Sequence, residues 1–198
     1  MNEAASVPPA SVSSAERTRS IVVAALLAGM IAATSWITVP LFGPVPVTLQ
    51  TVFVLLAGLL LPARWAATSM LLYLALGVAG LPVFSQGQSG LAAILGPTGG
   101  FLLAFPLAAG AAALVLEALR HRYNTTVASV FAVLVAEIVM YAVGVPWLMA
   151  QTGLTLVQAL AAAFVPFIVP DAIKAAFAVT VAATIRRALG QAGVVGQR

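Results

Sequence analysis

The sequence has no cysteine and one histidine in 198 residues. The first absence excludes disulfides, a thiolate nucleophile and any cysteine-bound metal. The second leaves His121 as the sole imidazole, too few ligands for a metal site. Charge is scarce as well. Five acidic and nine basic residues make up 7% of the chain, where a soluble domain carries about 25%. No G-x-x-x-x-G-K-[ST] loop is present, so the chain does not use ATP by that route. Gly87-Gln-Ser-Gly90 has the spacing of a serine-nucleophile motif. His121 falls in a connection expected on the opposite side of a membrane, so Ser89 has no base, which argues against a hydrolase. No enzymatic chemistry, metal or cofactor is expected.

What the chain does have is 62% hydrophobic residues. Such a surface belongs in lipid. The length suits one bundle with no second domain. Residues 1–16, rich in Ser, Ala and Pro, read as a disordered N-terminal segment, 17–190 as the transmembrane domain and 191–198 as a tail. A cleaved signal peptide fits poorly, because the apolar run from Ile21 is as long as a span and no clean small-residue cleavage site follows.

Crossing the bilayer takes about 20 apolar residues. Six runs qualify: Ile21–Ile37, Val47–Leu61, Trp65–Gly80, Phe101–Leu119, Val127–Val145 and Ala159–Ile185. The second and third are short and are joined only by Pro62, Ala63 and Arg64, a tight hairpin. Pro166 and Pro170 imply a kinked or two-piece sixth helix. The connection 81–100, rich in Gly, Ser and Gln, is too long for a simple turn, and loops of that length are usually functional. Arg17, Arg19, Arg64, Arg120, Arg122, Arg186, Arg187 and Arg198 all fall on one side of a six-span arrangement. By the positive-inside rule that side is cytoplasmic, with both termini inside, and 38–46, 81–100 and 146–158 face outward.

Ala24, Ala28 and Ala32 recur at four-residue spacing in the first span, with Ala25, Gly29 and Ala33 beside them. Small ridges of this kind allow close helix approach, either inside the bundle or against a separate partner.

The ninth basic residue, Lys174, lies inside the sixth span, three residues after Asp171. Spacing of i,i+3 puts both on one helix face. Charged residues at membrane depth usually face a cavity or one another. Pro170 suits a first helical position, which places Asp171 in the first turn, where the helix dipole favours an anion. A polar ligand site is the preferred reading. A self-satisfied pair near the outer interface is the alternative. Glu137 is the other acidic residue deep in a span, either lining the same cavity with Tyr141 or bonding a neighbouring helix as a protonated carboxyl. Glu117 and Arg120 read as a solvated pair. Ser85, Gln86, Gln88 and Ser89 offer uncharged polar groups on the long connection, suited to a lid or simply solvated. Thr48, Gln50 and Thr51 open the second span near the same face, Thr48 also being suited to capping.

Taken together, Pro46-Val-Thr-Leu-Gln-Thr51, Leu55-Leu-Ala-Gly-Leu-Leu-Leu61, Leu71-Leu-Tyr-Leu74, Gly80-Leu-Pro-Val-Phe84, Gly96-Pro-Thr-Gly-Gly100 and Pro170-Asp-Ala-Ile-Lys174 resemble the BioY family. The resemblance runs in order from about residue 20 to 187. It implies an all-α membrane protein of six transmembrane helices with the S-component fold of energy-coupling factor (ECF) transporters, in a prokaryotic cytoplasmic membrane. The implied function is high-affinity biotin uptake. The implied partners are a transmembrane coupling protein and two ABC-type ATPases, which hydrolyse the ATP. By the same resemblance Ala24, Ala28 and Ala32 dock the coupling protein, and Asp171, Lys174 and Gln86 contact the ligand. Biotin's ureido ring offers two N–H donors and a carbonyl, matching an acidic acceptor beside cationic and amide donors. Its apolar body needs walls, for which Phe84, Tyr73 and Trp147 are candidates. Asp171 is expected to accept from ureido N–H, and Lys174 to donate to the ureido oxygen or to the carboxylate. The competing functions are an S component for another vitamin and a proton-coupled secondary transporter relaying through Asp171, Lys174 and Glu137.

Overall fold

The computed structural model describes residues 14–39 and 45–191. The expected disorder of 1–13 and the tail 192–198 lie outside that range. Ser14–Glu16, assigned to the disordered segment from sequence, already belong to α1 (Ser14–Thr34).

A short hairpin follows α1. β1 (Thr38–Val39) pairs antiparallel with β2 (Val47–Thr48), Thr38 opposite Thr48 and Val39 opposite Val47. Next come α2 (Gln50–Leu60) and α3 (Ala63–Val78), separated at Pro62, which cannot continue a helix. The long connection 79–98 is built rather than loose. It holds a 3₁₀ turn (Ser85–Gly87) and the short α4 (Gly90–Ile94). The hairpin of α5 (Gly99–Leu119) and α6 (Thr125–Thr152) follows. Asn124 starts α6 by accepting from the Val127 backbone N–H at 2.8 Å.

The connection expected at 146–158 is mostly helix. α6 runs through Pro146 to Thr152 and stops at Gly153, whose φ of 72° is the left-handed terminator that glycine takes without strain. A single proline removes one N–H and does not end a helix whose neighbours hold it. α7 (Leu156–Ala163) begins two residues later with a capping box between Thr155 and Gln158. A 3₁₀ turn at Val165–Phe167, containing Pro166, joins it to α8 (Ile168–Gln191), so the sixth segment is in two pieces.

Among the described residues, four stretches are long and apolar enough to cross a membrane: α1, α5, α6 and Leu156–Leu189. α2 and α3 are apolar but have only 11 and 16 residues. At 1.5 Å per residue α2 is about 16 Å long.

Small residues let the helices close on one another. A side chain at Gly58 of α2 would meet the Ala109 carbonyl oxygen of α5 at 2.9 Å and the Ala112 Cβ at 2.6 Å. Ser69 Oγ of α3 donates to the Ala24 carbonyl of α1 at 2.7 Å. This contact fixes the rotation of α1. Ala24 and Ala28 are buried against the bundle, Ala32 is half-buried, and Ala25, Gly29 and Ala33 face outward. The row assigned to a partner interface from sequence therefore packs internally, and the neighbouring row is the exposed one.

Among the described residues the arginines gather at one end. Arg17 and Arg64 line one cleft. Arg186, near the end of the last span, takes part in the packing of that end. It is partly buried and donates from Nη2 to the Leu59 carbonyl of α2 (2.5 Å) and from Nη1 to Ser129 Oγ of α6 (3.2 Å). A charge-assisted hydrogen bond contributes roughly 1.5–3 kcal/mol. Arg186→Met is therefore expected to lower the melting temperature of the purified protein by roughly 5 °C. An unchanged melting curve would show that the guanidinium ties nothing together.

Candidate functional site

At the end of the bundle away from the arginines, a cavity opens between the starts of α2, α5 and α8 and the middle of α6. It encloses about 700 Å³ of empty space, counting its open mouth.

Its walls are mostly apolar. α5 supplies Phe101, Leu102 and Phe105, α6 supplies Met140, and Phe167 comes from the turn before α8. Two glycines set the aromatic rings. Gly144 leaves the notch on α6 in which Phe101 lies, and Gly77 leaves the notch on α3 that receives Phe84. Phe84 is buried, forms part of the wall, and stands edge-on to Tyr73 with ring centroids 5.6 Å apart.

The polar edge is concentrated on one side. Asp171, in the first turn of α8, and Lys174 form an ion pair at 2.5 Å, both less than a tenth exposed. The Tyr141 hydroxyl of α6 donates to the other Asp171 oxygen. Lys174 Nζ also lies 3.4 Å from the Thr48 carbonyl oxygen. Asp171 thus holds two donors in place, and one Lys174 proton remains for a ligand. Glu137 lines the same cavity, with Oε1 buried and unpartnered among the described residues. Thr51 Oγ1 and Ser85 Oγ are likewise buried, unpartnered and on the cavity wall. Such groups in a folded protein usually have partners, so a ligand that offers donors and acceptors here is favoured.

Of the residues singled out in the sequence, Asp171, Lys174, Glu137, Thr48 and Phe84 converge on this cavity. Tyr73, Trp147 and Gln86 do not line it. Tyr73 sits one layer back, fully buried, where its hydroxyl accepts from Gln50 Nε2 at 2.6 Å, and Gln50 in turn faces the cavity. Trp147 packs over Gly100 and donates from Nε1 to the Gly96 carbonyl at 2.9 Å, pinning the Gly96–Gly100 turn to α6. Gln86 is exposed, with a left-handed backbone (φ 60°). Ser85 and Gln88, on either side of it, are the turn residues that line the cavity. The turn is closed by a 3.0 Å bond from Phe84 N–H to the Gln88 carbonyl. The α5 wall escaped sequence reading, although Phe101 and Phe105 at i,i+4 after Gly99-Gly100 carry the signal of an aromatic stripe on one face.

Long apolar helices around a cavity with aromatic walls and one buried charge pair define a helical membrane protein that holds a single small, largely apolar ligand by a polar edge. The comparisons narrow that class. The BioY family model matches residues 3–191, so the chain belongs to the BioY family. It is 44% identical over 140 residues to the probable biotin transporter BioY of Pyrococcus horikoshii, covering 71% of this chain and 80% of that one. It is 38% identical over 170 residues to the biotin transporter BioY2 of Lactococcus lactis subsp. cremoris, covering 86% and 91%. A crystal structure described as the S-component for biotin from an ECF-type ABC transporter superposes with a TM-score of 0.82 at 28% identity, covering 89% of this chain and 95% of that one.

Proposed function

We propose that this protein is the biotin-binding S component of an ECF-type transporter, with no chemistry of its own. The observation that carries the reading is the cavity's division into an apolar aromatic wall and a polar edge built from Asp171, Lys174, Tyr141 and Glu137. Biotin divides the same way. Its bicyclic body and aliphatic chain suit Phe84, Phe101 and Phe105. Its ureido N–H groups suit carboxylate acceptors, and its carbonyl suits the free Lys174 proton. The relatives' transport of biotin points to the same ligand.

In the membrane, six helical segments span the bilayer. α2 is completed by its entry strand, and α7 with α8 makes the last. The end bearing the arginines lies in the cytoplasm, so the cavity opens outward. The energy comes from ATPase subunits joined through a coupling protein. The docking row on α1 is Ala25, Gly29 and Ala33, since these are the small residues it exposes.

Glu137 provides the closest test of the polar edge. Glu137→Leu deletes a buried acceptor and leaves a ligand N–H unpaired, a loss of roughly 1–3 kcal/mol, or about thirtyfold in affinity at the middle of that range. Glu137→Gln keeps a carbonyl and should fall between. Equilibrium binding of labelled biotin measures both. Parent-like affinity in Glu137→Leu would remove Glu137 from the site. Uptake by vesicles without the ATPases separates this reading from proton-coupled transport, because only the latter collapses on adding an uncoupler.

A further inference from the structure

A second polar site lies at the opposite end of the bundle, between the first turns of α1 and α3. Arg17 of α1 and Arg64, Trp65 and Thr68 of α3 line one cleft. The Arg64 guanidinium carbon is 5.5 Å from the Trp65 ring centroid, so the two side chains are stacked in one corner. The Trp65 indole N–H is buried and meets no acceptor among the described residues. Among the described residues no ion pair joins Arg17 or Arg64 to a carboxylate. Glu16 of α1 does not line the cleft. The start of α3 adds to the field: Pro62 offers no capping side chain, and the first turn holds no acidic residue. Two guanidinium groups, a buried indole donor and an uncompensated helix N-terminus together suit an anion with several acceptor oxygens, which is the chemistry of a phosphate group.

The surface just beyond the cleft identifies the source of that phosphate. One turn further along each helix, on the same faces, stand Ile21 of α1 and Leu71 and Leu72 of α3, at 45%, 55% and 41% exposed. A soluble phosphate has no use for this apolar track, whereas the acyl chains of a phospholipid would lie along it. We propose that the Arg17–Arg64–Trp65 cleft is a binding site for the phosphate headgroup of an anionic phospholipid, seated at the membrane interface with its chains against Ile21, Leu71 and Leu72. The site uses none of the residues of the outer cavity, so it stands or falls independently of the biotin assignment.

The test is native mass spectrometry of the full chain, released from detergent containing phosphatidylglycerol or phosphatidylcholine. A paired thermal-shift series uses sodium phosphate alone. The variants are Arg17→Gln/Arg64→Gln and, as a control for simple loss of charge at the same end, Arg120→Gln/Arg122→Gln. A cooperative melting transition in detergent serves as the check on folding for both. Phosphatidylglycerol should be retained over phosphatidylcholine by the parent and the control, and lost roughly thirtyfold by Arg17→Gln/Arg64→Gln. Equal retention by the two variants, or of the two lipids, would overturn the site. Stabilisation by sodium phosphate that Arg17→Gln/Arg64→Gln abolishes, without lipid retention, would overturn the lipid assignment and give the cleft to a soluble phosphate. Lipid-independent capture of an acidic partner segment at the same arginines would overturn it as well.

Discussion

Asp171→Asn is expected to weaken biotin binding by about a hundredfold or more while the protein still inserts. The asparagine can still accept from Tyr141, so the link between α6 and α8 is kept. What it cannot do is balance Lys174, which is 7% exposed and 2.5 Å from the carboxylate it would lose. Removing one partner of a buried ion pair costs roughly 3–5 kcal/mol, most of it from the charge left behind. Part of that cost falls on stability and part on the ligand, whose N–H groups lose their anionic acceptor. The double variant Asp171→Asn/Lys174→Met separates the two. With no buried charge remaining, stability should return to near the parent's, since well-packed apolar residues replace buried pairs at little or no cost. Binding should not return. If the double variant bound biotin as the parent does, the pair would be a structural tie between α8 and β2 and nothing more.

The second large effect lies on the outside of α1. A side chain added at Gly29 meets nothing within 4 Å, so Gly29→Leu should leave the isolated subunit's stability and biotin affinity within about twofold of the parent. A helix interface built on small residues closes to backbone distance, and a branched side chain there props the helices apart. Assembly with the coupling protein and ATPases, and uptake with it, should therefore fall at least about tenfold. Ala28→Leu is the contrasting case. Ala28 is 1% exposed within this chain's own core, so the larger side chain should destabilise the subunit itself. Pull-down of the coupling protein beside a melting curve distinguishes these outcomes. A Gly29→Leu variant that assembles normally would place the docking surface elsewhere.

The contrast between Ala28 and Gly29 marks a limit of sequence reading. Two small ridges lie side by side on α1, and periodicity does not give the absolute rotation of a helix that is apolar all round. The rotation is set by one tertiary contact, the Ser69 hydroxyl on the Ala24 carbonyl. Asp171 and Lys174 were legible for the opposite reason. A charge inside an apolar run is conspicuous, and i,i+3 spacing fixes their common face without any knowledge of neighbours. The aromatic wall was harder. Phe101, Phe105 and Met140 sit in segments where nearly every residue is apolar. Which of them meets the cavity depends on tertiary neighbours, as at Gly144, whose missing side chain leaves the notch for Phe101. The same dependence carried Trp147 away from the ligand side and onto the Gly96 carbonyl, and it put Tyr73 behind Gln50 rather than in the wall. On the long connection, composition announced a functional loop. Only the left-handed backbone at Gln86 decides that Ser85 and Gln88, not Gln86, turn to the cavity. Helix ends followed similar rules: Pro62 divided α2 from α3 as its chemistry demands, whereas Pro146 sits inside α6 because the surrounding bundle holds the backbone.

Whether a cavity with a charged edge and an aromatic wall is a biotin site is decided by calorimetric titration of the purified subunit alone, with biotin, dethiobiotin, thiamine and riboflavin. The expected result is one-to-one binding of biotin, weaker binding of dethiobiotin, which keeps the ureido edge but lacks the closed bicycle, and no measurable heat from the other two. Tight binding of thiamine or riboflavin, or no biotin binding by a folded subunit, would contradict the assignment.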